Sequence, residues 1–294
     1  MSDIQPSKLM PGGRWHAFPV ARLALYPAVL YSLCFFVAPF AIMFAVSFWQ
    51  RTRTGLKATW VLDNYEQFFA RDFLIQALFN SLEVTALTAI ISVLVAYPLA
   101  YILAFRVPQR WQQIVILLTV LPFWTAYVVR SYSWLLVLAD NGIINASLIG
   151  IGVVSEPLTL AYTRGATILG FVHFFTMLLV LTIYSSLIQI PSNLKAAASD
   201  LGASRAQVFF RVTLPLSMPG VAVGAFLTFV IAIGDYITPQ ILGGNTEVLI
   251  PQAIILQVSR SANFPMAAVL SIVLMVVVLG VYALFARSLR MDRI

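Results

Sequence analysis

Four ionisable residues, Glu83, Arg130, His173 and Asp235, stand inside long apolar stretches of the sequence. An ionised side chain at the centre of a membrane helix costs about 2.5–3.5 kcal/mol on insertion scales, so each is a functional candidate by default. Aromatic residues share their neighbourhood: Trp124, Tyr127, Tyr132, Trp134, Phe174, Phe175 and Tyr236. Carboxylates attract ammonium groups, and aromatic faces hold cations by cation–π contact. With Glu83 and Asp235 set against Arg130, and His173 neutral, one carboxylate is left unmatched. The chemistry expected of the set is the binding of a small polar, cationic solute. Other readings stay open residue by residue. Arg130 is open to pairing with Glu83 or Asp235, or to snorkelling outward. Glu83 is open to lying at a water interface, and His173 to acting as an interhelical hydrogen-bond donor. The aromatics also fit an interfacial belt. Asp235 carries the most weight, because Gly234 and Pro239 bracket it and loosen the helix end.

Covalent chemistry finds little footing. Cys34 is the one cysteine, and the two histidines, His16 and His173, lie far apart in sequence. A disulfide within the chain is excluded, and a metal site of three or four ligands is not expected. No Gly-x-x-x-x-Gly-Lys-Ser/Thr loop occurs, so no nucleotide site is expected in this chain.

The elements that position these residues follow from composition. The chain has 294 residues, 61% hydrophobic and 10% charged, against about 25% charged in soluble domains. Mean hydropathy is +0.91. Only helices and closed barrels satisfy the backbone in hydrocarbon. The apolar runs lack the alternation of barrel strands, so the fold class is all-α, a polytopic membrane protein of about six transmembrane helices. The expected spans are Leu23–Phe48, Asn80–Phe105, Ile114–Ala139, Gly165–Gln189, Met218–Ile237 and Pro265–Ala286, with an amphipathic stretch at Phe73–Phe79. The first is too long for a cleaved signal. A continuous third span would put Arg130 about 24 Å above its start. The four ionisable residues would then share one half of the membrane.

The net charge of +7 is chiefly a topology signal. Lys8, Arg14, Arg22, Arg106, Arg110, Lys195, Arg205, Arg211, Arg287, Arg290 and Arg293 fall on one side of the expected spans. The smaller set, Arg51, Arg53, Lys57, Arg71, Arg164 and Arg260, falls on the other. By the positive-inside rule both termini are cytoplasmic. The chain divides into a cytoplasmic segment at 1–22, a membrane domain at 23–286 with a cytoplasmic loop at 190–217, and a tail at 287–294. No clustered base-reading face is present, so no nucleic-acid partner is expected.

The loop at 190–217 is locally legible. Ser192 or Asn193 is placed to cap a short helix through Leu201, and Gly202 to end it in the left-handed conformation. Ser204 with Gln207 reads as a capping box for a second short helix, with Pro215 discouraging its continuation. Leu194, Ala197, Ala198 and Leu201 share one face. A helix–turn–helix is thus encoded at a membrane surface. From the residues alone, a pair of helices lying on lipid is an equal alternative.

The run Ala197-Ala198-Ser199-Asp200-Leu201-Gly202-Ala203-Ser204, followed by Phe209, Val212, Thr213, Leu214 and Pro215, resembles the EAA loop of ABC importer permeases. Leu121-Pro122-Phe123-Trp124-Thr125, Val129-Arg130-Ser131-Tyr132, Asn141-Gly142-Ile143-Ile144-Asn145 and Gly234-Asp235-Tyr236-Ile237-Thr238-Pro239 are similar to segments of spermidine/putrescine permease subunits. The resemblance implies a type I importer permease fold in a bacterial inner membrane. It further implies coupling helices at Ala197–Pro215 that dock on an ATPase subunit. The implied partners are ATPase chains holding ATP and Mg, a second permease subunit, a soluble substrate-binding protein and membrane lipid. Polyamine is the first substrate expected, ahead of amino acid derivatives, opines or an inorganic anion. This chain departs from the family pattern at Ala196, which stands where the family has glutamate, and at Met177 and Thr182, where prolines are frequent. A secondary transporter, working without partners, and a membrane enzyme are the other classes.

Overall fold

The computed structural model describes residues 26–27, 29–52, 55–244 and 247–289. The expected segment 1–22, the start of the first span at Leu23 and the tail residues 290–294 lie outside them. The chain forms two compact units, Met1–Val46 and Ser47–Ile294. The first unit holds the apolar helix α1, Val29–Ser47, with a π turn at Leu33–Val37. All but the last residue of α1 belong to it.

The second unit is a helical bundle. Two short strands, β1 (Gln50–Thr52) and β2 (Gly55–Lys57), pair antiparallel with Gln50 opposite Lys57. Then come α2 (Asp63–Ala70), the long α3 (Asp72–Phe105), α4 (Gln109–Val120), α5 (Tyr127–Leu138) and α6 (Ile143–Gly150). The long α7 (Arg164–Leu187) leads into α8 (Ser192–Asp200), and α9 runs over Arg205–Gly234. The chain ends with α10 (Ile237–Leu242), α11 (Ile250–Ser259) and α12 (Phe264–Leu289). Among the described residues, six segments are long and apolar enough to cross a membrane.

The centre is the trio α3, α7 and α9. Lipid is as apolar as leucine, so helix association in a membrane rests on close backbone approach through small residues. On α3 the buried residues Ala77, Ser81, Thr85, Thr88, Ser92, Ala96 and Ala100 recur every three or four positions. They form one smooth stripe, while Leu94 and Leu99 turn outward. On α9 the approach to α7 is set by Gly220 and Gly224. A Cβ on Gly220 would lie 2.5 Å from the Ser186 Cβ and 2.9 Å from the Thr182 carbonyl oxygen. A second core joins α2, α11 and α12 to the start of α3 through Phe68, Leu74, Ile250 and Met266.

The third span differs from the continuous helix expected over Ile114–Ala139. The helix α4 tightens into a 3₁₀ turn at Leu121–Trp124, and Thr125 and Ala126 are extended before α5 begins. Pro122 supplies no N–H, and the chain opens just beyond it. After α5 a tight turn at 139–142 leads into α6, so the apolar segment Tyr127–Gly150 bends as well. Gly142 is required there, since a Cβ would fall 2.6 Å from the Leu136 carbonyl oxygen. The 24 Å depth inferred for Arg130 assumed a helix that the chain does not make.

Packing at the α7–α9 contact yields a test. Gly220→Val should overpack that contact at a cost of about 1–3 kcal/mol, lowering the thermal unfolding midpoint of the purified protein. Gly280→Ala on α12, where a Cβ meets nothing within 4 Å, should raise the midpoint, because glycine in a helix is about 1 kcal/mol less favourable than alanine.

Candidate functional site

Two regions carry the candidate residues, one at each end of α9. At its start lies a helix–turn–helix knob. The helix α8 begins at Ser192 with Pro191 in the N-cap position and no side-chain cap, in place of the Ser192 or Asn193 cap expected. Proline fits there because its missing N–H lies outside the helix. Gly202 ends α8 with φ +82°. Its N–H donates to the Ser199 carbonyl at 2.9 Å, and the Ala203 N–H donates to the Ala198 carbonyl at 3.1 Å. These are the two bonds of a Schellman cap. Ser204 and Gln207 then form the expected capping box: the Ser204 N–H donates to Gln207 Oε1 at 2.8 Å, and the Gln207 N–H to Ser204 Oγ at 3.3 Å.

Pro215 does not stop the second helix. A π turn at Phe209–Thr213 intervenes, the Leu214 N–H donates to the Phe209 carbonyl, and Pro215 falls in the first positions of the next stretch. The register shift places the proline where a missing donor is tolerated. The second helix of the knob and the fifth span are therefore one helix, Arg205–Gly234. Leu201 at the knob tip is 89% exposed. Leu194 and Phe210 are exposed too, as are Ala197 and Asp200, so the face carrying the EAA-like residues is uncovered by this chain.

At the far end of α9 stands Asp235, in extended conformation after Gly234. Its carboxylate accepts from the Ile237 N–H at 2.8 Å and the Thr238 N–H at 3.4 Å, holding the start of α10. The Tyr127 hydroxyl donates to Asp235 Oδ2 and also bonds Thr238 Oγ1. A phenol has one hydrogen, so Thr238 donates to Tyr127. Tyr127, Phe174, Ile231, Gly234, Asp235 and Ile237 line an open cleft of about 340 Å³. The Phe174 ring packs edge-on against Tyr127 at 5.0 Å and stacks on Phe123 at 5.1 Å.

Arg130 adjoins this cleft without entering an ion pair. It is 8% exposed. Its Nη2 donates to the carbonyls of Pro122 and Thr125, each at 2.9 Å. Its guanidinium carbon lies 5.1 Å from the Phe174 ring centre. The guanidinium thus satisfies the carbonyls freed where the third span opens, and it meets neither Glu83 nor Asp235. Its Nε and Nη1 have no protein partner.

Glu83 belongs to a separate cluster. It pairs with Arg164 at 2.7 Å, and Arg164 also bonds Glu247 and, at 3.1 Å, Asn80 Oδ1. This ties α3, the start of α7 and the segment before α11. His173 accepts through Nδ1 from the Trp134 indole N–H at 2.9 Å, so it is an interhelical acceptor where a donor was expected. Trp124 is 87% exposed. Tyr132 and Tyr236 are also exposed and are absent from the cleft lining.

Two features of the site stand apart from the residues expected from sequence. Gly220 and Gly224 form a Gly-x-x-x-Gly pair, a readable signal for close helix approach. Beside them Thr182, Ser185, Ser186 and Gln189 line an open groove of about 490 Å³ at the knob end of α7 and α9. Their polarity is visible in sequence, but their shared face is visible only in the fold. Among the described residues no group of three or more His, Cys, Asp or Glu is placed to hold a metal.

The profile of the family described as binding-protein-dependent transport system inner membrane component matches residues 21–291. This chain belongs to that family. The spermidine/putrescine transport system permease protein PotB of Haemophilus influenzae is 34% identical over 261 residues, covering 87% of this chain and 91% of that protein. PotB of Escherichia coli is 31% identical over 222 residues, covering 76% and 80%. The fold is similar to a chain of a bacterial ABC transporter involved in the import of alginate, with a TM-score of 0.72 at 20% identity, covering 91% and 95%. A chain of the MetNI methionine ABC transporter aligns with a TM-score of 0.54 at 16% identity, covering 74% and 95%.

The role found for Arg130 is testable through stability. Arg130→Met should orphan the Pro122 and Thr125 carbonyls, at about 1–3 kcal/mol for each buried group left unbonded. The purified protein should unfold at a lower temperature, with Arg130→Lys recovering part of the loss. An unchanged midpoint in Arg130→Met would remove the capping role.

Proposed function

We propose that this chain is the permease subunit of an ATP-driven importer for small polycations, with polyamines first among them. The observation that carries the reading is the placement of Asp235. Its carboxylate stands in an open cleft walled by Tyr127 and Phe174, at the far end of a helix that begins in the knob. A carboxylate in a cleft lined by aromatic side chains favours an ammonium group by charge and by cation–π attraction. Names of relatives at 30% identity and above, given as spermidine/putrescine permeases, support the same substrate class.

A soluble binding protein delivers solute to the far end, and separate ATPase subunits holding ATP and Mg grip Ala197–Pro215. Both termini lie in the cytoplasm with the knob, in keeping with the distribution of Lys and Arg. Closure of the ATPases displaces the knob, and α9 carries that displacement to Asp235. An arriving ammonium replaces the Tyr127 hydroxyl on the carboxylate, while the Ile237 and Thr238 amides keep the group oriented. Toward the knob the path offers Thr182, Ser185 and Gln189, neutral oxygens that hold a cation less firmly and let it leave. The chain itself performs no covalent step.

The test is the reconstituted transporter, purified with the products of neighbouring genes and assayed for solute-stimulated ATP hydrolysis and uptake over spermidine, putrescine, amino acids and sulfate. Polyamine should stimulate both. Asp235→Asn should cut polyamine uptake at least about tenfold, since a hydrogen bond to a charged group is worth about 1.5–3 kcal/mol. Uptake and stimulation unchanged in Asp235→Asn would remove the residue from the path. Stimulation by sulfate alone would overturn the polycation reading.

A further inference from the structure

The tip of the knob is exposed, but its inner side is bound to the chain itself. The Lys195 ammonium lies 3.1 Å from the centre of the Phe105 ring. Phe105 is the last residue of α3, and it packs edge-on with Tyr101 at 5.0 Å. Tyr101 packs edge-on with Phe209 at 5.5 Å, and Phe209 with Tyr97 at 5.8 Å. The Tyr97 hydroxyl bonds Ser217 Oγ at 2.9 Å. One cation and four rings therefore run from α8, along the last turns of α3, to the first residue of the π turn in α9.

Burial holds the Lys195 ammonium below the usual lysine range. A cation stripped of part of its water gains more from a ring face than an exposed one does. Besides two short backbone links, 188–191 and 201–204, α8 lies beside the π turn at Phe209–Thr213. A nine-residue helix held at its ends and along one flank is stiffened further by a side contact to α3.

We propose that Lys195 is a positioning residue. Its contact with Phe105, continued through Tyr101, Phe209 and Tyr97, braces the first helix of the knob against α3 and the base of α9, so that displacement of the knob moves the spans. The inference rests on the reading that an ATPase drives the knob. It gives Lys195 an inward role in which it makes no contact with that partner.

The experiment uses the complete transporter in proteoliposomes, with spermidine as the solute, and reads spermidine taken up per ATP hydrolysed. Lys195→Met and Phe105→Leu should each lower this ratio about two- to fivefold, the scale of one cation–π contact. The double variant should fall no further than either single one, as expected for partners in one contact. Lys195→Arg keeps a cation over the ring and should stay near the unmodified ratio. Co-purification of the ATPase should be equal in all four. An unchanged ratio in Lys195→Met, multiplying effects in the double variant, or loss of the ATPase from Lys195→Met alone would overturn the proposal. Failure of the underlying reading is distinct: the unmodified assembly would then accumulate spermidine without hydrolysing ATP, or not accumulate it at all.

Discussion

An unbroken helix from Arg205 to Gly234, 30 residues and so about 45 Å long, joins the knob to the far-end cleft. The rest of the arrangement depends on it. Proline at 215 and again at 219 ought to weaken such a rod. The π turn meets the first of these by shifting the hydrogen-bond register, so that Leu214 reaches Phe209. Just beyond, Gly220 and Gly224 let the rod lie flush on α7, where packing replaces what the proline removes. The far terminus is held by Asp235, whose carboxylate gathers the Tyr127 hydroxyl and two backbone amides.

The cleft around Asp235 exists because the third span is broken. Had α4 and α5 formed one helix, Tyr127 and Arg130 would follow from Pro122 and Thr125 at fixed helical offsets. The opening at 125–126 re-aims α5, bringing Tyr127 to Asp235 and Arg130 back over the carbonyls it caps. Phe174 from α7 lies under both Arg130 and Tyr127. One arginine thus caps backbone carbonyls beside a carboxylate held by a phenol and two backbone amides. The charges of Glu83, Arg164 and Glu247 are settled among themselves at another corner of the same end.

The readable parts of the sequence were those with local causes. Gly202, Ser204 and Gln207 encode a turn and a capping box through neighbours three or four positions away, and the structure forms both. Length and apolarity were enough to locate the long helices. Pro215 misled because its effect depends on a π turn, a register change without a residue signature. The third span misled because a long apolar run says nothing about where its backbone bonds open. Glu83 and Arg164, far apart in sequence, meet only through packing of α3 on α7, and Arg130 bonds to carbonyls, which carry no residue identity. The Gly220 and Gly224 pair was available to inspection, since its spacing is itself the signal.

The most direct test of the rod is a spin-label distance in the assembled transporter, with Cys34→Ser as background and labels at Ser204→Cys and Ile231→Cys. Twenty-seven residues of continuous helix correspond to about 40 Å. The account predicts one distance near that value, the same without nucleotide and with ATP trapped. A second distance, or a change of more than about one helical turn of 5.4 Å on ATP binding, would show the π turn acting as a hinge and would contradict it.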